Sequence, residues 1–197
     1  RVCLIRAIIH QHTFSIDNYR EDSTDPYFAF VNTGDWSYYN GHYFTNKSPG
    51  LSLLAVVPYA IAEYGLRYLF PDDIERQVLF STYFCNLCTT VLCGVMLCLT
   101  LFHILTFFFR FDQAAAVTAT FMCGLGTLLF SYSTTLYSHV PAASFSFLSF
   151  TGAMHIRYGT ARKKKIMALG SGIAASLAVL IEPSTVLTLG LIFLYLL

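Results

Sequence analysis

Charged residues are scarce in this sequence. Only 12% of its 197 residues are Asp, Glu, Lys or Arg, whereas a soluble globular domain usually contains about 25%. Hydrophobic residues make up 55% of the chain, and the mean hydropathy is +0.57. The deficit of charge excludes an ordinary solvated domain. Because the apolar residues form several long runs, we predict an all-α fold, a polytopic transmembrane helical bundle.

The sequence also lacks the patterns of zinc-binding and nucleic-acid-binding proteins. Cys85 and Cys88 form a CxxC, but no second pair and no His completes a zinc set. We interpret the Cys residues as small apolar core residues, with a redox or metal role as the minor alternative. The densest basic cluster, TARKKK at residues 160–165, indicates a topological determinant that faces anionic lipid, and we expect no nucleic-acid partner.

Composition divides the chain into two predicted parts. Residues 1–76 are expected to form an external loop with juxtamembrane helices, and residues 77–197 to form about five transmembrane helices. The predicted crossings are residues 77–109, 114–129, 140–158, 166–181 and 184–197. Because the chain begins at Arg1 and ends inside an apolar run, we interpret it as the N-terminal part of a longer protein whose last predicted helix is truncated.

The first part is predicted to lie at the membrane surface. Residues 1–14 have apolar positions at helical spacing, which favours an amphipathic surface helix. Residues 15–48 are rich in Asn, Gly, Ser and Thr, so we predict a polar loop dominated by turns. Residues 51–70 are long enough to cross, but Glu63, Arg67 and several Tyr residues interrupt the apolar run. We therefore predict an interfacial helix there.

The positive-inside rule orients these segments. If TARKKK is cytoplasmic, alternate crossings place residues 131–139 outside and the pair Glu182-Pro183 at the external end of its helix. An interfacial helix at residues 51–70 then leaves the polar loop on the same side. The expected result is an external face, periplasmic or lumenal, that carries these polar residues: Asp17, Asp35, Lys47, His139 and Glu182.

Several short segments resemble the GT-C glycosyltransferases, membrane enzymes that take a sugar from a polyprenyl-phosphate carrier. The resemblance is closest to the protein mannosyltransferase and aminoarabinose transferase branch. It rests on Gly34-Asp35-Trp36 with Gly41-His42-Tyr43, on KSPGL at residues 47–51, on TTLYSHVP at residues 134–141 and on Glu182-Pro183. The match at residues 34–51 is fairly specific, and the others are weak alone. One feature departs from the family, because the acid that opens its first external loop would fall at or before Arg1.

The resemblance implies glycosyl transfer at the external membrane face. The expected partners are a polyprenyl-phosphate-linked sugar, the lipid bilayer and an acceptor glycan, lipid or protein. A loop carboxylate would activate the acceptor, and a cation would stabilise the departing phosphate. Asp17 and Asp35 are the candidate catalytic acids, and Lys47 is the candidate phosphate ligand. Alternatively, Asp17 is a turn residue, Asp35 is a cap and Lys47 extends toward lipid headgroups.

The remaining candidates are aromatic or lie near later helices. Trp36 and Tyr43 are candidates for stacking on a sugar, or for an aromatic belt at the headgroups. His139 is a candidate phosphate or carrier ligand, or an interfacial histidine. With His42 and the loop acids, it also has the donor atoms for a divalent metal ion, although the spacing favours no ligand set. Glu182 is a candidate substrate-binding residue, or a solvated helix end.

Two other functions remain open from the sequence. A transporter or flippase of a lipid-linked or polar solute would place acids or broken helices near the bilayer midplane of repeated halves, and no internal repeat is visible. A non-catalytic membrane protein that keeps the fold would lack the catalytic acid. The sequence specifies neither the sugar nor the acceptor.

Overall fold

The computed structural model describes residues 1–21, 34–158 and 161–196, and it is mostly α-helical. This confirms the predicted helical class. The chain forms two compact units, Arg1–Thr89 and Thr90–Leu197, which are described separately below. The boundary between them falls within one long helix, and the predicted division at residue 76 stays a prediction.

The first unit contains the N-terminal helices, one β-hairpin and the beginning of the long helix. Its elements are α1 (Val2–Gln11), α2 (Asn18–Glu21), β1 (Trp36–Tyr39), β2 (His42–Thr45), α3 (Gly50–Leu69) and the first part of α4 (Ile74–Phe108). The last five residues of α1 form a π-helical turn. Residues 22–33 of the predicted polar loop lie outside the described residues.

The core of the first unit forms where α1 packs against α3. Leu4 and Ile5 of α1 are buried, as are Leu51 and Tyr59 of α3. Burying aliphatic and aromatic side chains of this size stabilises the contact by about 1.5–3 kcal/mol for each residue. The predicted amphipathic helix at residues 1–14 is therefore helical, and its apolar side faces protein.

The hairpin was not predicted, because residues 15–48 were expected to form a polar loop dominated by turns. Asn40 and Gly41 connect its two strands, and both have positive φ angles, 49° and 87°. This is the backbone of a type I′ turn, which Asn-Gly favours and whose twist matches that of paired strands. The turn fixes an antiparallel register in which Tyr39 pairs with His42 and Trp36 pairs with Thr45.

The helix α3 matches the predicted helix at residues 51–70. The environment of its Glu63 side chain differs from the exposed one expected of an interfacial helix. Glu63 is buried, although its charge was one reason to predict an interfacial helix. Arg6, His10 and Arg67 surround its carboxylate. The position of this helix relative to a membrane stays a prediction.

The helix α4 is 35 residues long, which confirms that the apolar run at residues 77–109 is helical. Asp73 caps its N-terminus by accepting a hydrogen bond from the Arg76 amide at 3.0 Å. At the preceding turn, the Gln77 side chain donates to the carbonyl of Phe70 at 2.6 Å. At its other end, Arg110 has a φ of 58°, a left-handed conformation that ends the helix.

The second unit contains the remainder of α4 and the later helices. These are α5 (Gln113–Gly126), α6 (Leu128–Ser133), α7 (His139–Tyr158), α8 (Ala161–Ile181) and α9 (Thr185–Leu196). The helix α7 is central and packs against α4, α8 and α9. Small residues permit this packing, since a Cβ atom on Gly152 would lie only 2.8 Å from the Cβ atom of Ser171 on α8.

The helix predicted to cross at residues 114–129 is interrupted, and the crossing itself stays a prediction. The helix ends at Gly126, and Thr127 takes an extended conformation with φ −125° and ψ 178°. The Thr127 hydroxyl then caps the next helix by accepting a hydrogen bond from the Leu129 amide at 3.1 Å. A helix of 14 residues extends about 21 Å, which is less than the roughly 30 Å of a hydrocarbon core.

Among the described residues, two helices are long and apolar enough to cross a membrane. They are Ile74–Phe108 and Lys164–Ile181, whose most apolar stretches have mean hydropathies of 2.3 and 1.6. Only 22% and 17% of their most apolar stretches are buried within the chain. These helices therefore differ from the core helices of soluble proteins, which are mostly buried.

Candidate functional site

Asp17 lies at the centre of a polar cluster in the first unit. Its carboxylate accepts hydrogen bonds from the Ser15 hydroxyl and from the Tyr43 backbone N–H. The same carboxylate bonds to the His42 ring, with 2.7 Å between Oδ2 and Nδ1. Ser15, two residues away, and His42 and Tyr43 of the distant hairpin therefore fix the position of the Asp17 side chain.

The backbone around Asp17 explains this arrangement. The Ile16 amide donates to the Tyr43 carbonyl at 2.8 Å, so the segment before α2 lies along the outer edge of β2. Ile16 itself is buried. The Asp17 carboxylate then replaces a neighbouring strand by accepting from the Tyr43 amide, which would otherwise be an unpaired edge group. Hence the turn interpretation of Asp17 describes only part of its role.

Asp17 is ionised at neutral pH. Its partial burial raises the pKa of the carboxyl, but the hydrogen bonds from Ser15, the Tyr43 amide and His42 outweigh this effect. The net result is a pKa below the ordinary value for Asp. A carboxylate with a lowered pKa and three donors is a weak base, and it is well suited to orient a neighbouring imidazole.

Lys47 and Asp35 form an ion pair at the open end of the hairpin. The Lys47 Nζ atom lies 3.2 Å from an Asp35 carboxylate oxygen. Both side chains are about half exposed, at 45% and 51%. An exposed pair of this kind contributes only about 0–1 kcal/mol. A ligand with a stronger negative charge can therefore compete for Lys47 at little cost.

Trp36 and Tyr43 lie on one face of the hairpin and contact each other. Their ring centroids are 5.2 Å apart in an edge-to-face arrangement. The Arg20 guanidinium lies 4.0 Å from the centre of the Trp36 ring and 4.8 Å from that of Tyr43. Of the hairpin tyrosines, Tyr38 and Tyr39 have the larger exposed fractions, 61% and 76%. Thus Arg20 adds a second cation to this face, while Tyr38 and Tyr39 present rings to the outside.

The second unit contains the other two candidates, and they contact each other. The Nδ1 atom of His139, at the start of α7, lies 3.0 Å from a carboxylate oxygen of Glu182, which follows the end of α8. Both residues line a cavity of about 590 Å³ between α7 and α9. Most of the wall is apolar, and it includes Phe147, Phe150 and Leu191. The pair thus places polar atoms beside an apolar cavity within this unit.

The predicted metal site is not assembled by the described residues. Across residues 1–21, 34–158 and 161–196, no three His, Cys, Asp or Glu side chains come together in a way that could hold a metal ion. Asp17 with His42 and His139 with Glu182 are pairs. A role for a divalent metal ion stays a prediction.

Two residues that contact Asp17 or the hairpin rings, His42 and Arg20, were missed as site residues by the sequence reasoning. His42 was considered only as a metal ligand and as part of the family resemblance, and Arg20 was not among the predicted site residues. The signal that could have found His42 is Asn40-Gly41 between aromatic residues, which predicts a hairpin and places His42 directly after its turn. No comparable signal marks the approach of Asp17 to the hairpin edge.

Comparisons of the chain with protein-family models, with curated proteins and with solved structures found no match. In the first unit, the structure brings together Asp17 with His42, Lys47 with Asp35, and Trp36 with Tyr43.

Proposed function

We propose that this protein is an integral membrane glycosyltransferase of the GT-C type. It moves a sugar from a polyprenyl-phosphate carrier to an acceptor glycan, lipid or protein at the external face of a membrane. The observation that carries the proposal is the hairpin segment at residues 34–51. It carries an exchangeable cation, Lys47, and exposed aromatic rings, and its Tyr43 amide holds the carboxylate of Asp17 in a fixed position.

The two candidate membrane spans support the location. Large apolar side chains on α4 and α8 are exposed, among them Leu92, Leu99, Leu169 and Ile173. Exposed apolar surface on this scale marks contact with lipid or with further protein. A lipid carrier dissolved in the same bilayer would reach a polar site beside these helices without leaving the membrane. The remaining helices complete the proposed polytopic bundle.

Lys47 is the proposed ligand of the carrier phosphate. As the bond between the sugar and the phosphate breaks, negative charge grows on the phosphate oxygens, and a cation there lowers the barrier. In the free protein, Lys47 forms an ion pair with Asp35. We propose that the phosphate displaces Asp35, because the exposed carboxylate pair is weak and because the charge-assisted bond from Lys47 strengthens as the departing phosphate becomes doubly charged. Asp35 is then released to bind the sugar hydroxyls.

The polar cluster around Asp17 is the proposed centre for acceptor activation. A hydroxyl or amine acceptor must lose a proton as it attacks the anomeric carbon. The hairpin backbone holds Asp17, so the Asp17 carboxylate has a fixed position relative to the aromatic rings of the hairpin. Tyr38 and Tyr39 are the exposed rings on which a sugar can stack.

The cavity of the second unit is proposed to bind a lipid-linked substrate within that unit. Its apolar wall suits an isoprenoid chain, and His139 and Glu182 offer hydrogen bonds to a polar group at one end. In this proposal, His139 binds the carrier and Glu182 binds the substrate.

The test measures transfer from a lipid-linked radiolabelled sugar in membranes that contain the protein. The variants are Lys47→Ala, the double variant Lys47→Ala with Asp17→Ala, and Lys165→Ala as a control. Losing a hydrogen bond to a charged group costs about 1.5–3 kcal/mol, so Lys47→Ala should lower transfer about 10- to 100-fold. Lys165→Ala should leave it unchanged.

Full transfer by both Lys47 variants would overturn the site assignment. If the labelled lipid instead crosses the bilayer of proteoliposomes without being consumed, the protein is a transporter, and glycosyl transfer is excluded. Expression levels and thermal unfolding of every variant show whether a loss of transfer reflects a loss of folding.

A further inference from the structure

The first unit contains a carboxylate–imidazole pair, Asp17 and His42, whose geometry is that of a base held by an orienting acid. The two residues are 25 positions apart in the sequence, and the hairpin register brings them together. The Asp17 oxygen lies 2.7 Å from Nδ1, the ring nitrogen on the side of the backbone. The contact leaves Nε2, the other ring nitrogen, pointing away from the carboxylate.

The protonation of the two groups follows from this contact. An ionised carboxylate can only accept hydrogen bonds, so the proton between the two residues belongs to His42 Nδ1. The neutral ring then has its lone pair on Nε2. Within the described part of the chain, no group is hydrogen-bonded to Nε2, and 60% of the His42 side chain is exposed. A reacting hydroxyl can therefore approach this nitrogen.

The surroundings hold Asp17 much more firmly than a salt bridge on a mobile loop would. The Ser15 hydroxyl and the Tyr43 amide also donate hydrogen bonds to the carboxylate, so its orientation does not depend on His42. His42 is the first residue after the type I′ turn, which fixes the backbone from which the ring projects. This is the arrangement in which a carboxylate sets the tautomer of an imidazole and stabilises the imidazolium that forms when Nε2 takes a proton.

We propose that His42 Nε2 is the general base of the reaction and that Asp17 is the positioning residue that fixes its tautomer. This inference rests on the proposed glycosyl transfer. As the acceptor oxygen or nitrogen attacks the anomeric carbon, its proton moves to Nε2. The bond between the anomeric carbon and the phosphate oxygen breaks, and the polyprenyl phosphate leaves with the electron pair. The imidazolium later returns its proton to water. Asp17 remains ionised throughout, in agreement with its lowered pKa.

The experiment compares His42→Asn, Asp17→Asn and His12→Asn in the membrane-embedded protein. Asn at position 42 can still donate an amide N–H toward Asp17, but it has no basic nitrogen in the place of Nε2. His12 is another exposed histidine of the same unit, and its φ of 52° is one that Asn tolerates, so His12→Asn is a matched control. The measured quantities are kcat for the lipid-linked sugar, its KM and the ¹⁵N spectrum of labelled histidine.

General-base catalysis contributes about 10²- to 10⁴-fold, so His42→Asn should lower kcat by that factor with little change in KM. Asp17→Asn should lower kcat, because the imidazolium that forms during the reaction loses its counter-charge. The spectrum should show the Nδ1–H tautomer for His42 in the wild type and its loss in Asp17→Asn. His12→Asn should match the wild type in all three measurements.

The possible failures are distinguishable. Full kcat in His42→Asn, with transfer intact in the wild type, would overturn this inference and leave the proposed function standing. An Nε2–H tautomer for His42 in the wild type would also overturn it, because that nitrogen would have no lone pair to accept a proton. The absence of transfer by the wild-type protein would overturn the proposed function, and with it the role of His42 as its base.

Discussion

Replacing Glu63 with Gln tests the most strongly buried charge of the first unit. The Glu63 side chain is 3% exposed and lies on α3. Its carboxylate bonds to Arg6 and, at 2.9 Å, to His10, both on α1. Arg67, one turn further along α3, approaches it at 3.1 Å. The substitution keeps the size of the side chain and removes its negative charge, so the cations from both helices lose their counter-charge.

The cost depends mainly on Arg6. The Arg6 side chain is 13% exposed, so its charge has little solvent to compensate for the loss. Removing one partner of a buried ion pair costs about 3–5 kcal/mol. Because the Gln oxygen can still accept one hydrogen bond, we expect the lower end, about 3 kcal/mol. Arg67 is 45% exposed, and Arg67→Ala should cost no more than about 1 kcal/mol.

The alkylation of Cys3 measures this cost locally. Cys3 lies on α1, is 5% exposed and forms no disulfide, so a maleimide reaches it only when α1 separates from its neighbours. When reclosing is fast, the labelling rate follows the opening equilibrium. A loss of about 3 kcal/mol corresponds to labelling that is about 100-fold faster. Peptide mass spectrometry resolves Cys3 from Cys98 of the second unit, whose labelling should not change.

Two results would refute this reasoning. The first is a change in Cys3 labelling of less than about threefold in Glu63→Gln, since a buried pair must exceed the energy of an exposed one. The second is an equal effect of Arg67→Ala. The double variant Arg6→Met with Glu63→Leu provides a further check, because exchanging both charges for apolar side chains should restore most of the stability.

Two other predictions concern the hairpin edge and the helix packing. The folded-state pKa of Asp17 lies below its ordinary value of 3.8, so its hydrogen bonds stabilise the hairpin above pH 3.8 and are lost as the pH falls through the lower folded value. The fluorescence of Trp36, the only tryptophan, should report this loss in the wild type, and Asp17→Asn should lack it. In the second unit, Gly152→Ala should lower the thermal unfolding midpoint, because overpacking against Ser171 costs about 1–3 kcal/mol. Gly170→Ala has open space around its added methyl group and should be neutral or stabilising.

Much of the helical framework follows from local sequence. Pro71 and the capping residue Asp73 mark the start of α4, and the uninterrupted apolar run that follows predicts its length. Pro49-Gly50 and Phe70-Pro71 likewise delimit α3. These features act within a few residues of one another, so composition and spacing are enough to locate them. Thr127 is the exception, since neither Gly126 nor Thr127 alone indicates that a helix must end there.

The candidate site was only partly predictable. Lys47 and the aromatic residues around Trp36 were found from their composition, but their partners were not. Asp35 pairs with Lys47 across the open end of the hairpin, so the pairing depends on strand register. His42 was passed over as a base because the hairpin itself was not predicted. The segment around Asp17 then approaches β2 from 25 residues away.

The sequence by itself determined that the chain is helical and apolar, and that its polar residues are concentrated in a few segments. Hydrophobic periodicity and capping are short-range effects that the order of residues expresses directly. Only the tertiary structure decided which charges are neutralised and by which partners. Glu63 looked like a surface residue until α1 supplied Arg6 and His10, and Asp17 looked like a turn residue until β2 supplied His42. Burial and charge pairing depend on distances between remote segments, and those distances exist only once the chain has folded.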